Sequence, residues 1–156
     1  MKKVLIALDY DPTAQKVAEL GFSLAKTMNA EAILLHVISD LNYYVSDEHI
    51  TIMGFAGYSD VSQLQLNSVD ELKKASQQFL NKSKQHLGDE TIQTLVKDGD
   101  YAEAILKTAE DLHADIIVMG SHGRKWLEKI VMGSVTEKVL SQTSIPLCII
   151  PTKKHN

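Results

Sequence analysis

Five short apolar runs alternate with four longer stretches in which apolar residues recur every three or four positions. Residues 4–8, Val-Leu-Ile-Ala-Leu, are apolar without a break, as suits a strand covered on both faces. Asp11 and Pro12 then read as an N-cap and a first-turn proline. Ala14, Val17, Ala18, Gly21, Leu24, Ala25 and Met28 fall on one face of the helix that follows, and Asn29 ends it. Residues 32–38 form a second buried strand. Residues 39–60 keep neither period for long and carry Tyr43, Tyr44, Phe55 and Tyr58. Aperiodic segments of about twenty residues are uncommon in compact domains and often functional; packing of the aromatics is the plainer alternative.

A long helix follows, with Val69, Leu72, Ala75, Phe79 and Leu87 as its apolar stripe and Gly88 as its stop. Residues 91–97 make a third strand whose mixed polarity suits a sheet edge. Asp100 and Glu103 have capping-box spacing ahead of Ala102, Ile105, Leu106, Ala109 and Leu112. Residues 115–119 are the fourth strand. Gly133 or Ser134 opens a helix through about Leu140, and the fifth strand runs over 145–150, from Ile145 to Ile150. The alternation predicts an α/β fold with a five-stranded parallel sheet, right-handed crossovers and helices on both faces, in one domain over 1–156. Periodicity leaves the strand order open.

Composition narrows the function. The chain of 156 residues is 44% hydrophobic and 23% charged, enough for one ordinary core without staples. A net charge of −4 argues against a nucleic-acid partner, and Lys153-Lys154 reads as a solvated tail. The sole cysteine, Cys148, sits in an apolar run and reads as a small buried hydrophobe. One cysteine permits no disulfide within the chain, which fits a reducing, cytoplasmic setting. The first residues read as a strand closed by Asp9 rather than as a leader, and no apolar run is long enough to span a membrane.

The candidate chemistry lies at strand ends. Open parallel sheets bind ligands at the carboxyl ends of strands, where the strand order reverses. Asp9 follows the first strand and Gly120 the fourth; an order 3-2-1-4-5 would set them across one crevice. After Gly120, two residues lead to Gly123, nine more to Gly133, and Ser134 comes next. Glycines at a strand exit and a helix start let the main chain approach an oxyanion, and helix-start amides point at it. The Ser134 hydroxyl adds a donor, Val135 another amide, and Arg124 and Lys125 add charge. The plainer reading is a glycine-rich turn and a helix cap. Asp9 suits a ribose hydroxyl, a base or a phosphate-bound metal, unless it only caps a turn. His36, inside the second strand, reads as a packed core histidine, and His122 as a loop residue. A Gly-x4-Gly-Lys phosphate loop, a Gly-x-Gly-x2-Gly turn after the first strand, Cys/His metal spacing and a Gly-x-Ser-x-Gly elbow are all missing from the sequence.

The run Gly120-x2-Gly123-x9-Gly133-Ser134 resembles the ATP-binding signature of the universal stress protein family. The opening strand ending in Asp9, the 33–37 strand, the 115–123 block, Gly133 to Thr136 and the 144–147 strand entry share the resemblance. It implies the order 3-2-1-4-5 and an ATP pocket between strands one and four. By position it puts Ala7 and Asp9 at the adenosine and the Val37 backbone at adenine. Met119 and Gly120 would floor the site, and Gly123, Gly133, Ser134 and Val135 would hold phosphates, with Mg²⁺ or Mn²⁺ as the metal if one is used. It further implies a stress-response nucleotide binder, not an efficient enzyme, and a homodimer; the apolar edge strand 145–150 would pair with its copy unless Pro146 and Pro151 blunt that edge. The chain departs from the pattern at Asp11, where a small hydroxyl residue is common.

Three other readings use the same residues. Asp9-Tyr10-Asp11-Pro12-Thr13 resembles the nucleophile motif of haloacid-dehalogenase phosphatases, in which one carboxylate attacks phosphorus and the next is the acid/base. A phospho-receiver domain also pairs acids after its first strand, but needs an aspartate ending a middle strand, where this chain has Gly120. The same fold with an empty pocket would be a protein-interaction module.

Overall fold

In a computed structural model, the chain is described over residues 1–9, 13–38, 69–121 and 134–152. The aperiodic 39–60 segment, the Asp11-Pro12 helix start and the Lys153-Lys154 tail lie outside those residues. Five parallel strands, β1 (Lys3–Ala7), β2 (Glu31–Ile38), β3 (Gln93–Asp98), β4 (Ile116–Gly120) and β5 (Leu147–Ile150), form one sheet in the order β3-β2-β1-β4-β5. The helices among the described residues are α1 (Ala14–Thr27), α2 (Val69–Leu87), α3 (Tyr101–Asp111) and α4 (Ser134–Gln142).

Strand alternation sorts the apolar side chains into two layers. Val4, Ile6, Leu34 and Val118 face Val17, Ala18 and Ala25 of α1 and Leu80 of α2. Leu5, Ile33, Leu35, Ile117 and Met119 face Ala102, Ile105 and Ala109 of α3 and Val139 of α4. Leu5, Ile6, Ile33, Leu34, Leu35 and Ile117 are fully buried, and each contributes about 1.5–3 kcal/mol. Both layers are covered, which explains why the central strands read as unbroken apolar runs.

Helix ends follow identifiable devices. Asn29 takes a left-handed φ of 54°, its amide bonds the Lys26 carbonyl, and the Ala30 amide bonds the Ala25 carbonyl. This is the Schellman closure, and Asn tolerates its backbone. Gly88, at φ 73°, closes α2. His113 closes α3 in the same way, at φ 54°, with Ala114 bonded to Ala109. The α3 start is as expected: the Asp100 carboxylate accepts from the Glu103 amide at 3.0 Å.

All five strands are offset by one or two residues from the sequence reading, and three of the differences have a clear local reason. Thr91 was expected in β3, but its amide and hydroxyl both donate to the Asp89 carboxylate, at 2.8 and 2.6 Å, holding it in a turn. Ile145 was expected in β5, but its amide and carbonyl are both taken up by the Thr143 hydroxyl. Pro146 has no amide to give, though its carbonyl accepts from Ile117 at 2.9 Å. Gly120 was expected to leave the sheet; it pairs with Ile150 as the last residue of β4.

Gly21 packs closely against Ile6 in the α1 layer. A Cβ there would sit 2.9 Å from the Ile6 Cδ1 and Cγ1 atoms. Alanine favours a helix over glycine by about 1 kcal/mol, but overpacking a core costs about 1–3 kcal/mol. Gly21→Ala should therefore lose about 1 kcal/mol in urea unfolding. A raised midpoint would show that Ile6 moves aside freely.

Candidate functional site

The β1–β4 pairing ends at Ile6–Val118, while β4 continues to Gly120 against β5. At that carboxyl edge a cleft opens. Ala7, Leu8 and Asp9 come to it from the end of β1, Leu35 and Val37 from β2, and Met119 and Gly120 from β4. Thr13, Ala14 and Val17 close the α1 side, Tyr101 and Ile105 the α3 side, and Val135 and Thr136 the α4 side. Apolar walls around a few polar groups are the usual make-up of a small-molecule site.

Buried polar contacts fix this edge. The Leu8 amide donates to the Leu35 carbonyl at 2.8 Å. The Leu8 carbonyl in turn lies 2.9 Å from His36 Nδ1. A carbonyl can only accept, so Nδ1 carries the proton. His36 is fully buried and meets Phe79 edge-on at 6.0 Å. It is the packed core histidine the sequence suggested, and it holds the residue just before Asp9. On the β5 side, the Ser121 amide donates to the Ile150 carbonyl at 2.8 Å, and the Thr152 amide to the Ser121 hydroxyl at 3.0 Å. The residue that follows β4 is thus stitched to the chain at the end of β5 and just beyond it.

Two contacts set the helix starts that flank the cleft. The Thr136 hydroxyl donates to the Gly120 carbonyl at 2.9 Å. Asp100, the cap of α3, also receives Lys138 of α4 at 3.2 Å. The Glu103 amide above all, and then Lys138, hold the Asp100 carboxyl below the usual carboxylate range.

The structure brings Ala7, Asp9, Val37, Met119, Gly120 and Val135 together around this cleft. Ser134 is exposed at the start of α4 and is not among the lining residues. Gly123, Arg124 and Gly133, with Asp11, His122 and Lys125, lie outside the described residues. Among the described residues no three His, Cys, Asp or Glu side chains cluster as a metal site. As lining residues, Tyr101 and Ile105 went unsignalled in the sequence, while Thr13 and Thr136 stood in it only as the last members of the motif that starts at Asp9 and of the block that starts at Gly133. Position was the one further signal, in or beside the first turns of helices that follow strand ends. Cys148, expected to be buried, is half-buried, because β5 is the sheet's outer strand.

The profile of the universal stress protein family matches residues 1–151. The chain belongs to the universal stress protein family. It is 33% identical over 156 residues to universal stress protein MJ0577 of Methanocaldococcus jannaschii, covering 97% of this chain and 96% of that one. The solved MJ0577 structure superposes with a TM-score of 0.73 at 28% identity, covering 99% and 98% of the two chains. Two more distant members share the fold. One, solved in complex with cAMP, has a TM-score of 0.61 at 17% identity, with 97% of this chain and 98% of that chain covered. The other, from Archaeoglobus fulgidus, was solved in complex with dAMP, with a TM-score of 0.58 at 18% identity and coverages of 96% and 97%. No helix among the described residues of this universal stress protein is long and apolar enough to cross a membrane.

Asp100→Ala should lower stability by about 0.5–2 kcal/mol at neutral pH through loss of the cap. In the folded chain the carboxyl titrates below its ordinary value. Its contribution is therefore complete above the unfolded pKa of about 3.9 and is lost as pH falls through the lower folded value. Urea unfolding of both proteins between pH 7 and pH 3 should show the gap closing on the acid side.

Proposed function

We propose that this universal stress protein binds ATP and acts as a nucleotide-dependent regulatory module of the stress response, with at most slow hydrolysis. One nucleotide-binding domain would span 1–156 and work in a reducing, cytoplasmic compartment. The observation that carries the reading is the convergence of Ala7, Asp9, Val37, Gly120 and Val135, far apart in the chain, on one cleft at the sheet's reversal point.

The cleft suits an adenine nucleotide chemically. Ala7, Leu35, Val37 and Ile105 offer an apolar wall to a base. Asp9 is an acceptor for ribose hydroxyls. The first-turn amides of α4, at Ser134 and Val135, belong to the four that a helix start leaves without intrahelical partners, and such amides attract anions. Gly123 and Gly133 of the signature would complete the phosphate side, the neighbouring cations Arg124 and Lys125 would add charge, and Mg²⁺ or Mn²⁺ would be the phosphate counter-ion. The members solved with cAMP and dAMP support an adenine nucleotide as the ligand class.

The same reading includes a homodimer. β5 is a sheet edge, and Leu147, Cys148 and Ile149 on it are only half-buried. Pairing with its copy would cover that edge.

Calorimetric titration with ATP, ADP and AMP tests the nucleotide. ATP should bind, and Gly133→Ala should weaken it about tenfold or more: the amide stays, but the added Cβ keeps the phosphate away from main-chain donors, whose hydrogen bonds to a charged group are worth about 1.5–3 kcal/mol each. Unchanged affinity in that variant would remove the phosphate cradle. Turnover of an aryl phosphate with magnesium that vanishes in Asp9→Asn would favour the phosphatase chemistry instead. Sedimentation at micromolar concentration should give a dimer, and Ile149→Lys a monomer; a monomeric parent chain discards the edge contact.

A further inference from the structure

The Ser121 amide bonds the Ile150 carbonyl at 2.8 Å, so Ser121 presents its main chain to β5. Successive residues of a strand between two parallel neighbours present their main-chain groups to opposite sides. The Gly120 carbonyl therefore points the other way, toward β1. The last β1–β4 pair is Ile6–Val118, two residues earlier. Gly120 thus aims a carbonyl at the very place where β1 has ceased to pair, and it lines the cleft. The Thr136 hydroxyl donates to this oxygen at 2.9 Å, and Thr136 is only 2% exposed.

Resting on the nucleotide reading above, we propose that Thr136 is a positioning residue of the cleft. Its hydroxyl takes the place of the missing strand partner and locks the first turn of α4 to the end of β4. The lock has two consequences for an anionic ligand. It fixes where the Ser134 and Val135 amides sit relative to the cleft floor. It also engages a carbonyl whose negative end would otherwise face the ligand's charge. Thr136 does not need to touch the nucleotide for either effect. Its distance along the chain from Gly120 makes this a tertiary clamp and not the local bond a helical threonine makes to its own preceding turn.

Two variants and two measurements test this on the full-length protein. Thr136→Val keeps the shape and removes the donor; Thr136→Ser keeps the donor. Hydrogen exchange without nucleotide should show the first helix-bonded amides of α4, at residues 137–140, exchanging at least tenfold faster in Thr136→Val, with protection restored in Thr136→Ser. Protection unchanged in the valine variant overturns the lock. Calorimetry with ATP should show about tenfold weaker binding in Thr136→Val and binding within about twofold of the parent in Thr136→Ser. Equal affinity in the valine variant and the parent overturns the positioning role even if exchange has changed. A parent chain that binds no ATP overturns that role together with the nucleotide reading, while the exchange data still report separately on the lock.

Discussion

The pairing of β1 with β4 is the constraint on which the rest of the architecture depends. From β1 the chain crosses through α1 to β2 on one side; from β4 it crosses through α4 to β5 on the other. Right-handed crossovers that run in opposite directions must use opposite faces. Hence α1 packs over Val4, Ile6 and Val118, and α4 over the layer of Leu5 and Ile117. The two strand exits are pulled apart, and the gap between them is a consequence of connectivity. No side chain had to be removed to make it.

Main-chain groups near such a gap lose their ladder partners, and the molecule replaces them with side chains. Leu8 offers a carbonyl beyond the end of β1, and the buried His36 ring donates to it. Gly120 does the same at the end of β4, and Thr136 donates to it. Thr152 brings its amide to the Ser121 hydroxyl one step further on. An unpaired buried main-chain group costs about 1–3 kcal/mol, so these polar residues in apolar surroundings are part of the sheet's closure. His36 and Thr136 would look like foreign bodies in the core if only hydrophobicity were considered.

Much of this was legible in the sequence because burial on both faces leaves a coarse trace. The central strands are apolar runs, and α1 through α4 carry stripes at helical spacing. The order β3-β2-β1-β4-β5 was not in the periodicity; it came from resemblance, on the glycine spacing after Met119. Limits slipped where a side chain captured the main chain, as Asp89 does with Thr91 and Thr143 with Ile145. Such captures depend on one rotamer and leave no pattern. His113 closing α3 was equally invisible, since a left-handed histidine carries no sequence mark comparable to Asn29 or Gly88. The glycines of the signature stood out because their spacing is unusual. Tyr101, Ile105 and Thr136 did not, because each sits within an ordinary helical stretch.

The first turn of α4 shows why such residues stay hidden. Successive positions on a helix differ by about 100°, so three neighbours must meet three environments. Ser134 is exposed, Val135 lines the cleft, and Thr136 is buried against Gly120. The turn is at once surface, site and core. A small apolar residue at Thr136 would satisfy the packing but leave the Gly120 carbonyl without its donor. A larger polar one would not fit a position that is 2% exposed. Threonine alone among common residues is β-branched, compact and a hydroxyl donor. The choice of residue at this core position is therefore governed by the geometry of the cleft as much as by the stability of the helix.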